Sequence, residues 1–292
     1  MGEGHPECPE RLAAIEDRLL SGGLELFMRR LEAPLASLDA LLRVHDAALI
    51  ESVLGCRPAG DTLIRIDLDT FMNAHSADAA LRAAGAAQLA VNLVLSGKAG
   101  LVFCAVRPPG HHAERGRAMG FCFFNNIAVA AAEALARGIE RVAILDFDVH
   151  YGNGTADIFK SDPRVLFCST YQDPLYPYWE GDASVKSFVD VPLAPGAGSV
   201  EYRAALQQRW LPALERFKPQ MLFISAGFDA HTRDPLAGLK LSTEDFQFTG
   251  QFVMDVAARH CQQRVVATLE GGYDLQALAA SVEAFIRPFV GA

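Results

Sequence analysis

Apolar runs of three to six residues recur along the chain without polar alternation, Thr268 being the one hydroxyl within them: Leu101–Val106, Val142–Leu145, Val165–Phe167, Met221–Ile224 and Val265–Leu269. Such runs are what strands covered on both faces look like. Helical patterns lie between them. Pro9 opens a helix that carries Leu12, Ile15 and Leu19 and is ended by Gly22-Gly23. Ser76 is the expected N-cap of a long Ala/Leu helix that stops at Gly97. An Ala-rich helix is expected from about Ile127 to Gly138, a short one near Thr155–Phe159 and another from Ser199. Ser242 with Asp245 resembles a capping box ahead of a helix ending near His260, and Leu275–Phe289 is the last helix. Tyr171 to Gly198 reads as a long irregular stretch rich in Pro, Asp and Tyr. Strands alternating with helices imply a single-domain α/β fold over residues 1–292, a mostly parallel sheet with helices on both faces.

Composition narrows the classes. The chain is 51% hydrophobic and 21% charged, which supports a large core and excludes global disorder. Lys plus Arg number 26 and Asp plus Glu 35, a net charge of −9, so direct nucleic-acid binding is not expected. No apolar run approaches the roughly 18 residues of a membrane span. Met1–Pro6 has no basic-then-apolar pattern, so no signal peptide and no membrane contact are expected. Cys8, Cys56, Cys104, Cys122, Cys168 and Cys261 contain no C-x-x-C pair, and several lie in apolar runs. They read as reduced core thiols of a cytoplasmic protein.

Four apolar runs end in residues that can do chemistry: Arg107-Pro108-Pro109-Gly110-His111-His112, Asp146-Phe147-Asp148-Val149-His150, Ser225-Ala226-Gly227-Phe228-Asp229 and Glu270-Gly271-Gly272-Tyr273. Ligands of open α/β sheets bind beyond the carboxyl ends of strands. Asp146, Asp148 and His150 alternate, so an extended backbone would turn all three to one face. Two carboxylates that close call for a cation between them, and Asp plus His suits zinc or another borderline divalent metal. Asp229 is the natural third ligand. The competing explanation, a solvated strand end with an Asp capping the next helix, is the weaker one for the triplet alone and weaker still once Asp229 is added.

Adjacent histidines are usually unremarkable. Here the rigid Pro-Pro-Gly bend can aim both rings into one cavity, where a neutral imidazole serves as base. Asp146 could orient one ring and Asn153 the other, giving the two different basicities. Tyr273 is either a core tyrosine or a donor to an oxyanion. Phe121, after the flexible Gly120, either packs or lines a narrow apolar channel. Cys122 has no fixed cation beside it and reads as a buried thiol. Gly152-x-Gly154 lacks the spacing and the Lys of a phosphate loop.

Together these segments resemble the zinc-dependent histone deacetylase family, nearest its class II and bacterial members. The resemblance runs in order over nearly the whole chain. It covers Gly4-His5-Pro6-Glu7-x-Pro9-Glu10-Arg11-Leu12, the Arg107–His112 segment and Gly120-Phe121-Cys122-Phe123-Phe124-Asn125-Asn126. It continues through Asp146–Thr155, Ser225–Ala230 and Leu269–Tyr273. It implies the arginase/deacetylase fold and one Zn²⁺ per chain on Asp148, His150 and Asp229. His111 and His112 become the catalytic pair, with Asp146 and Asn153 behind them and Tyr273 as transition-state donor. Gly120, Phe121, Asp69, Leu236 and Gly271 become substrate contacts. A structural K⁺ is implied at Asp146, Asp148, His150, Ser169 and Thr170.

Three departures stand out. Family members usually carry a strand and loop ahead of the His5-Pro6-Glu7 segment, where this chain begins. Asn153 stands where class I members have Asp. Tyr176–Gly181 is bulkier than the glycine-rich loop common there. The expected activity is removal of acetyl or other acyl groups from Nε-acyl-lysine in peptides or proteins, with acetylpolyamine hydrolysis as the alternative. A pseudoenzyme that only binds acetylated ligands and a binuclear arginase-like ureohydrolase are more distant. Some polyamine-preferring relatives place Glu after the Asp234-Pro235 pair, where this chain has Leu236. Asp69, Glu180 and Asp182 are the acidic residues that could replace it at the mouth.

Overall fold

The computed structural model describes residues 1–178 and 184–291. Pro9 sits at the N-cap position of helix α1 (Glu10–Ser21), and Gly22 closes it. Residues 24–72 hold short elements that no periodicity announces: a 3-10 turn (Leu24–Phe27), α2 (Leu38–Leu42), α3 (Ala47–Gly55) and an antiparallel ribbon of β1 (Ile64–Arg65) and β2 (Phe71–Met72). Then follow α4 (Ser76–Leu95), β3 (Leu101–Cys104), α5 (Asn126–Ala136), β4 (Val142–Asp146), α6 (Asn153–Phe159), β5 (Val165–Gln172) and β6 (Phe188–Leu193). The chain ends with α7 (Ser199–Ala205), α8 (Leu211–Phe217), β7 (Met221–Ala226), α9 (Thr243–His260), β8 (Val265–Leu269) and α10 (Leu275–Val290).

Among the described residues, six strands form one sheet in the order β3-β8-β7-β4-β5-β6, and every neighbouring pair is parallel. Alternate strand residues feed two cores. Val142, Ile144, Phe167 and Phe223 pack with α4 and α5 on one face, while Ala143, Leu145, Leu222 and Ile224 pack with α9 and α10 on the other. From β4 the chain steps outward through β5 and β6, then returns to lay β7 on the other side of β4. The β4–β7 junction is thus the point where strand order reverses, the place where open sheets leave a crevice at their carboxyl ends.

Three expectations need correction. The 171–198 stretch is not irregular throughout, because β5 continues to Gln172 and Phe188–Leu193 forms the edge strand β6. That strand is half-covered and carries an exposed Pro192, which an edge tolerates and a buried strand does not, so no apolar run marks it. Ser76 is the first helical residue and not the cap; its Oγ accepts from Asn73 N at 2.9 Å. All six cysteines are free, but Cys8 and Cys56 are only half-buried. The Ser242–Asp245 capping box forms as expected. Among the described residues no helix is long and apolar enough to cross a membrane.

Candidate active site

β4 ends at Asp146, and the chain bends immediately after it. Asp146, Asp148 and His150 therefore do not share one extended face. Asp146 turns to His111, with His111 Nδ1 3.0 Å from Asp146 Oδ2. Asp148 and His150 instead meet Asp229, which follows β7, and ligand atoms of these three lie within 4.8 Å of one another. His150 Nδ1 is 3.0 Å from Asp148 Oδ1 and 3.2 Å from Asp229 Oδ2. Backbone donors fix the outer oxygens: Gly271 N donates to Asp148 Oδ2 at 2.8 Å and Val149 N to Asp229 Oδ1 at 2.9 Å.

Asp229 Oδ2 is buried and accepts no hydrogen bond among the described residues. Burial and the neighbouring Asp148 push the Asp229 carboxyl upward. Burial opposes the charged form of His150, yet Asp148 and Asp229 outweigh it and hold that imidazole at about 10. Two buried carboxylates around one imidazole favour a positive charge between them. The donor set, with an Asp229 oxygen whose near neighbour is another would-be ligand, fits a divalent metal of the zinc type. Gly271 closes this cradle, since a Cβ there would sit 1.9 Å from Asp229 Oδ2.

The two histidines lie beside this cluster, with ring centroids 4.0 Å apart. His112 Nδ1 is 2.8 Å from Asn153 Oδ1. Their environments differ in sign. For His111, burial is overcome by Asp146 and Asp148, and its pKa rises to about 10. For His112, burial, His111 and His150 all act downward, and its pKa lies well below the usual imidazole value. Gly120, at φ +56°, lets the chain pass the His112 ring, which a Cβ would approach to 2.6 Å.

Tyr273 lies at this strand-end crevice, 6.1 Å from the Phe121 ring and under the Arg11 guanidinium at 5.0 Å. Burial raises its phenol well above the ordinary value, so it stays protonated. Tyr273 N donates to Asp234 Oδ2 at 2.7 Å and Leu236 N to Asp234 Oδ1 at 3.0 Å, which ties partly exposed Leu236 to the tyrosine. Half-buried Asp69 belongs to the loop against Phe121: its carbonyl accepts from His5 Nε2 at 3.2 Å, and His5 packs edge-on to Phe121 at 4.6 Å. Asp146 pairs in register with Ser169 of β5, and Thr170 follows it; Ser169 Oγ is buried with no hydrogen-bond partner among the described residues. Glu180 and Asp182 lie outside the described residues, as does the second half of the Tyr176–Gly181 loop. Cys122 is buried and its thiol is pushed far up by that burial, as its apolar setting suggests.

Several residues appeared in the sequence only as members of motifs, with no role assigned. Glu270 Oε2 accepts from Gly110 N at 2.7 Å and His111 N at 3.1 Å, clamping the histidine turn to β8. Burial lifts its pKa to about 7. A carboxylate directly after a fully buried strand was the available signal. Arg11 donates to the carbonyls of Gly272 and Glu270, and buried Glu7 pairs with Arg11 and Arg107. Tyr176 stands edge-on to His112 at 5.1 Å and His150 at 6.2 Å, opposite in chain origin to Phe121. The sequence marked its segment only as unusually bulky and gave Tyr176 itself no role.

The architecture is that of the arginase/deacetylase class. A solved structure titled as the HDA15 HD domain superposes with a TM-score of 0.92 at 33% identity, covering all of this chain and 83% of that one. The histone deacetylase domain family matches residues 5–289. The chain belongs to that family. It is 40% identical to a histone deacetylase-like amidohydrolase of Pseudomonas aeruginosa over 99% of this chain and 75% of the relative. It is also 40% identical to a probable deacetylase of Archaeoglobus fulgidus, over 93% of this chain and 77% of that protein.

Proposed function

We propose that the chain is a zinc-dependent amidohydrolase that removes acetyl and related acyl groups from Nε-acyl-lysine in peptides or proteins, with one zinc held by Asp148, His150 and Asp229. The observation that carries this reading is the buried Asp–His–Asp cluster, with Asp229 Oδ2 free of hydrogen bonds, beside two histidines of opposite electrostatic setting. Bound there, the ion would polarise an acyl carbonyl and acidify a water. His112, neutral and oriented by Asn153, accepts the proton of the attacking water. His111, kept cationic by Asp146, stabilises the developing charge, and the pair returns a proton to the leaving amine. The Tyr273 hydroxyl donates to the oxyanion. Phe121 and Tyr176 flank the stem of the acyl-lysine, and Gly120 and Gly271 allow close passage. A structural K⁺ is proposed at Asp146, Asp148, His150, Ser169 and Thr170, supported by the unpartnered Ser169 Oγ.

Among the described residues Asp148, His150 and Asp229 are the one group of three metal-capable side chains, which favours a mononuclear centre over an arginase-like pair. At the rim, Leu236 offers apolar contact and no charge for a second ammonium. Acetyl-lysine peptides should therefore be turned over by the zinc-loaded protein with higher kcat/KM than acetylspermidine or acetylputrescine, and Leu236→Glu should shift the ratio towards the polyamines. A tenfold wild-type preference for acetylpolyamines, about 1.4 kcal/mol in transition-state binding, overturns the substrate assignment. Turnover of neither class overturns the function.

A further inference from the structure

One carboxylate beside the histidine pair has no part in the reaction as described. Glu114 Oε1 accepts from Asn153 Nδ2 at 2.8 Å, while Asn153 Oδ1 faces His112 Nδ1, also at 2.8 Å. Two weaker acceptors crowd the same Nδ2, Met119 Sδ at 3.4 Å and the His112 carbonyl at 3.5 Å. A primary amide has one donor end and one acceptor end, whereas an ionised carboxylate only accepts. Glu114 thus decides which end of Asn153 meets the imidazole. With its NH₂ turned to Glu114, Asn153 presents an oxygen, so His112 carries its proton on Nδ1 and keeps a lone pair on Nε2. The reversed amide would donate to Nδ1, place the proton on Nε2 and remove the basic site.

Glu114 is itself held in place. Its N–H donates to the Arg117 carbonyl at 2.9 Å, and its carbonyl accepts from His45 Nδ1 at 3.0 Å. His45 Nε2 accepts from Asn125 N at 2.9 Å, which fixes that ring as the Nδ1–H tautomer. The series His45–Glu114–Asn153–His112 therefore runs from the α2–α3 corner to the catalytic ring, with each polar end assigned by its neighbour.

We propose that Glu114 is a positioning residue that orients the Asn153 amide and so holds His112 in the base-competent tautomer. This rests on the deacetylase reading for its consequence in catalysis, but not for its effect on the ring. The test compares wild type, Glu114→Ala and Glu114→Gln, each also in an Asn153→Asp background. Each zinc-loaded protein is read for kcat and KM on an acetyl-lysine peptide, for bound metal and for the His112 tautomer by ¹⁵N-histidine NMR. Glu114→Ala should lower kcat roughly 10- to 100-fold, the usual cost of removing a partner behind a first contact. KM and metal content should hold, and His112 Nδ1 should lose its purely protonated signature. Glu114→Gln keeps an acceptor oxygen and should recover most of the loss. With Asn153→Asp there is no amide to orient and two carboxylates meet, so Glu114→Ala should cost nothing further. Wild-type kcat and tautomer in Glu114→Ala, an equal loss in both backgrounds, or a Glu114→Gln as slow as Glu114→Ala would each overturn the proposal. If wild type hydrolyses no acyl amine, the deacetylase reading falls, and the NMR comparison still decides the role of Glu114.

Discussion

One oxygen separates a packing aromatic from a hydrogen-bond donor at Tyr273. Tyr273→Phe keeps the contacts with Phe121 and Arg11 and removes the hydroxyl. Loss of one oxyanion donor costs roughly 10²–10³ in kcat, so turnover should fall by that factor while metal content and thermal midpoint stay at wild type. An unchanged kcat would return Tyr273 to a packing role. Asp229 has the opposite profile. Its Oδ1 is held by Val149 N and its Oδ2 faces only the His150 ring, at 3.2 Å, among the described residues, so Asp229→Ala should abolish both bound zinc and activity. Elemental analysis of the purified variant is the check, and full occupancy would remove Asp229 from the ligand set.

At the scale of elements, the site is assembled where β4, β7, β8 and the loop after β3 converge, and Glu270 ties two of these together. Its Oε2 takes the Gly110 and His111 N–H groups and its Oε1 takes the Thr268 hydroxyl. Glu270→Ala strands two buried backbone donors, each costing about 1–3 kcal/mol. The urea midpoint should drop accordingly, and Glu270→Gln, which keeps an acceptor, should drop less. Equal midpoints for Glu270→Ala and wild type would show that water satisfies those donors. The same comparison explains what could be read in advance. Strands β4, β7 and β8 were legible because burial on both faces writes an unbroken apolar run, and the chemistry at their ends stands out against it. Edge strand β6 was hidden by its half-exposure and Pro192. The roles of Glu270 and Glu114 were hidden because their partners Gly110, His111 and Asn153 lie far along the chain, and Glu7 shows only its i,i+4 Arg11 locally and not the distant Arg107. The extended-face argument brought Asp148 and His150 together for the wrong reason, since the bend after Asp146 gives Asp146 to His111 and leaves Asp229 to complete the cluster.

For the whole molecule, stability should depend on pH through a group remote from the metal-binding cluster. His45 is buried where the loop before α5, the Glu114 segment and the α2–α3 corner meet. Burial is the main cause that lowers its pKa from 6.5 to about 4; the Glu114 and Arg115 backbone and Asp46 act weakly against it, and Arg115 adds to the lowering. The sign follows from which state binds the proton. Below pH 6.5 the unfolded chain protonates this histidine and the folded chain does not, so protons drain the folded state. The contribution of neutral His45 is complete above about pH 7 and is lost as pH falls towards 4. By linkage over those two values the loss at pH 4 is about 3 kcal/mol. Other buried groups titrate as well, so the measurement is a difference: denaturant unfolding of wild type and His45→Gln from pH 4 to 8. Gln can donate to the Glu114 carbonyl and cannot take up a proton. The gap between the two proteins should be constant above pH 7 and move in favour of His45→Gln as pH falls. Stability curves that stay parallel down to pH 4 would show that His45 is protonated as readily in the folded protein as in the unfolded chain.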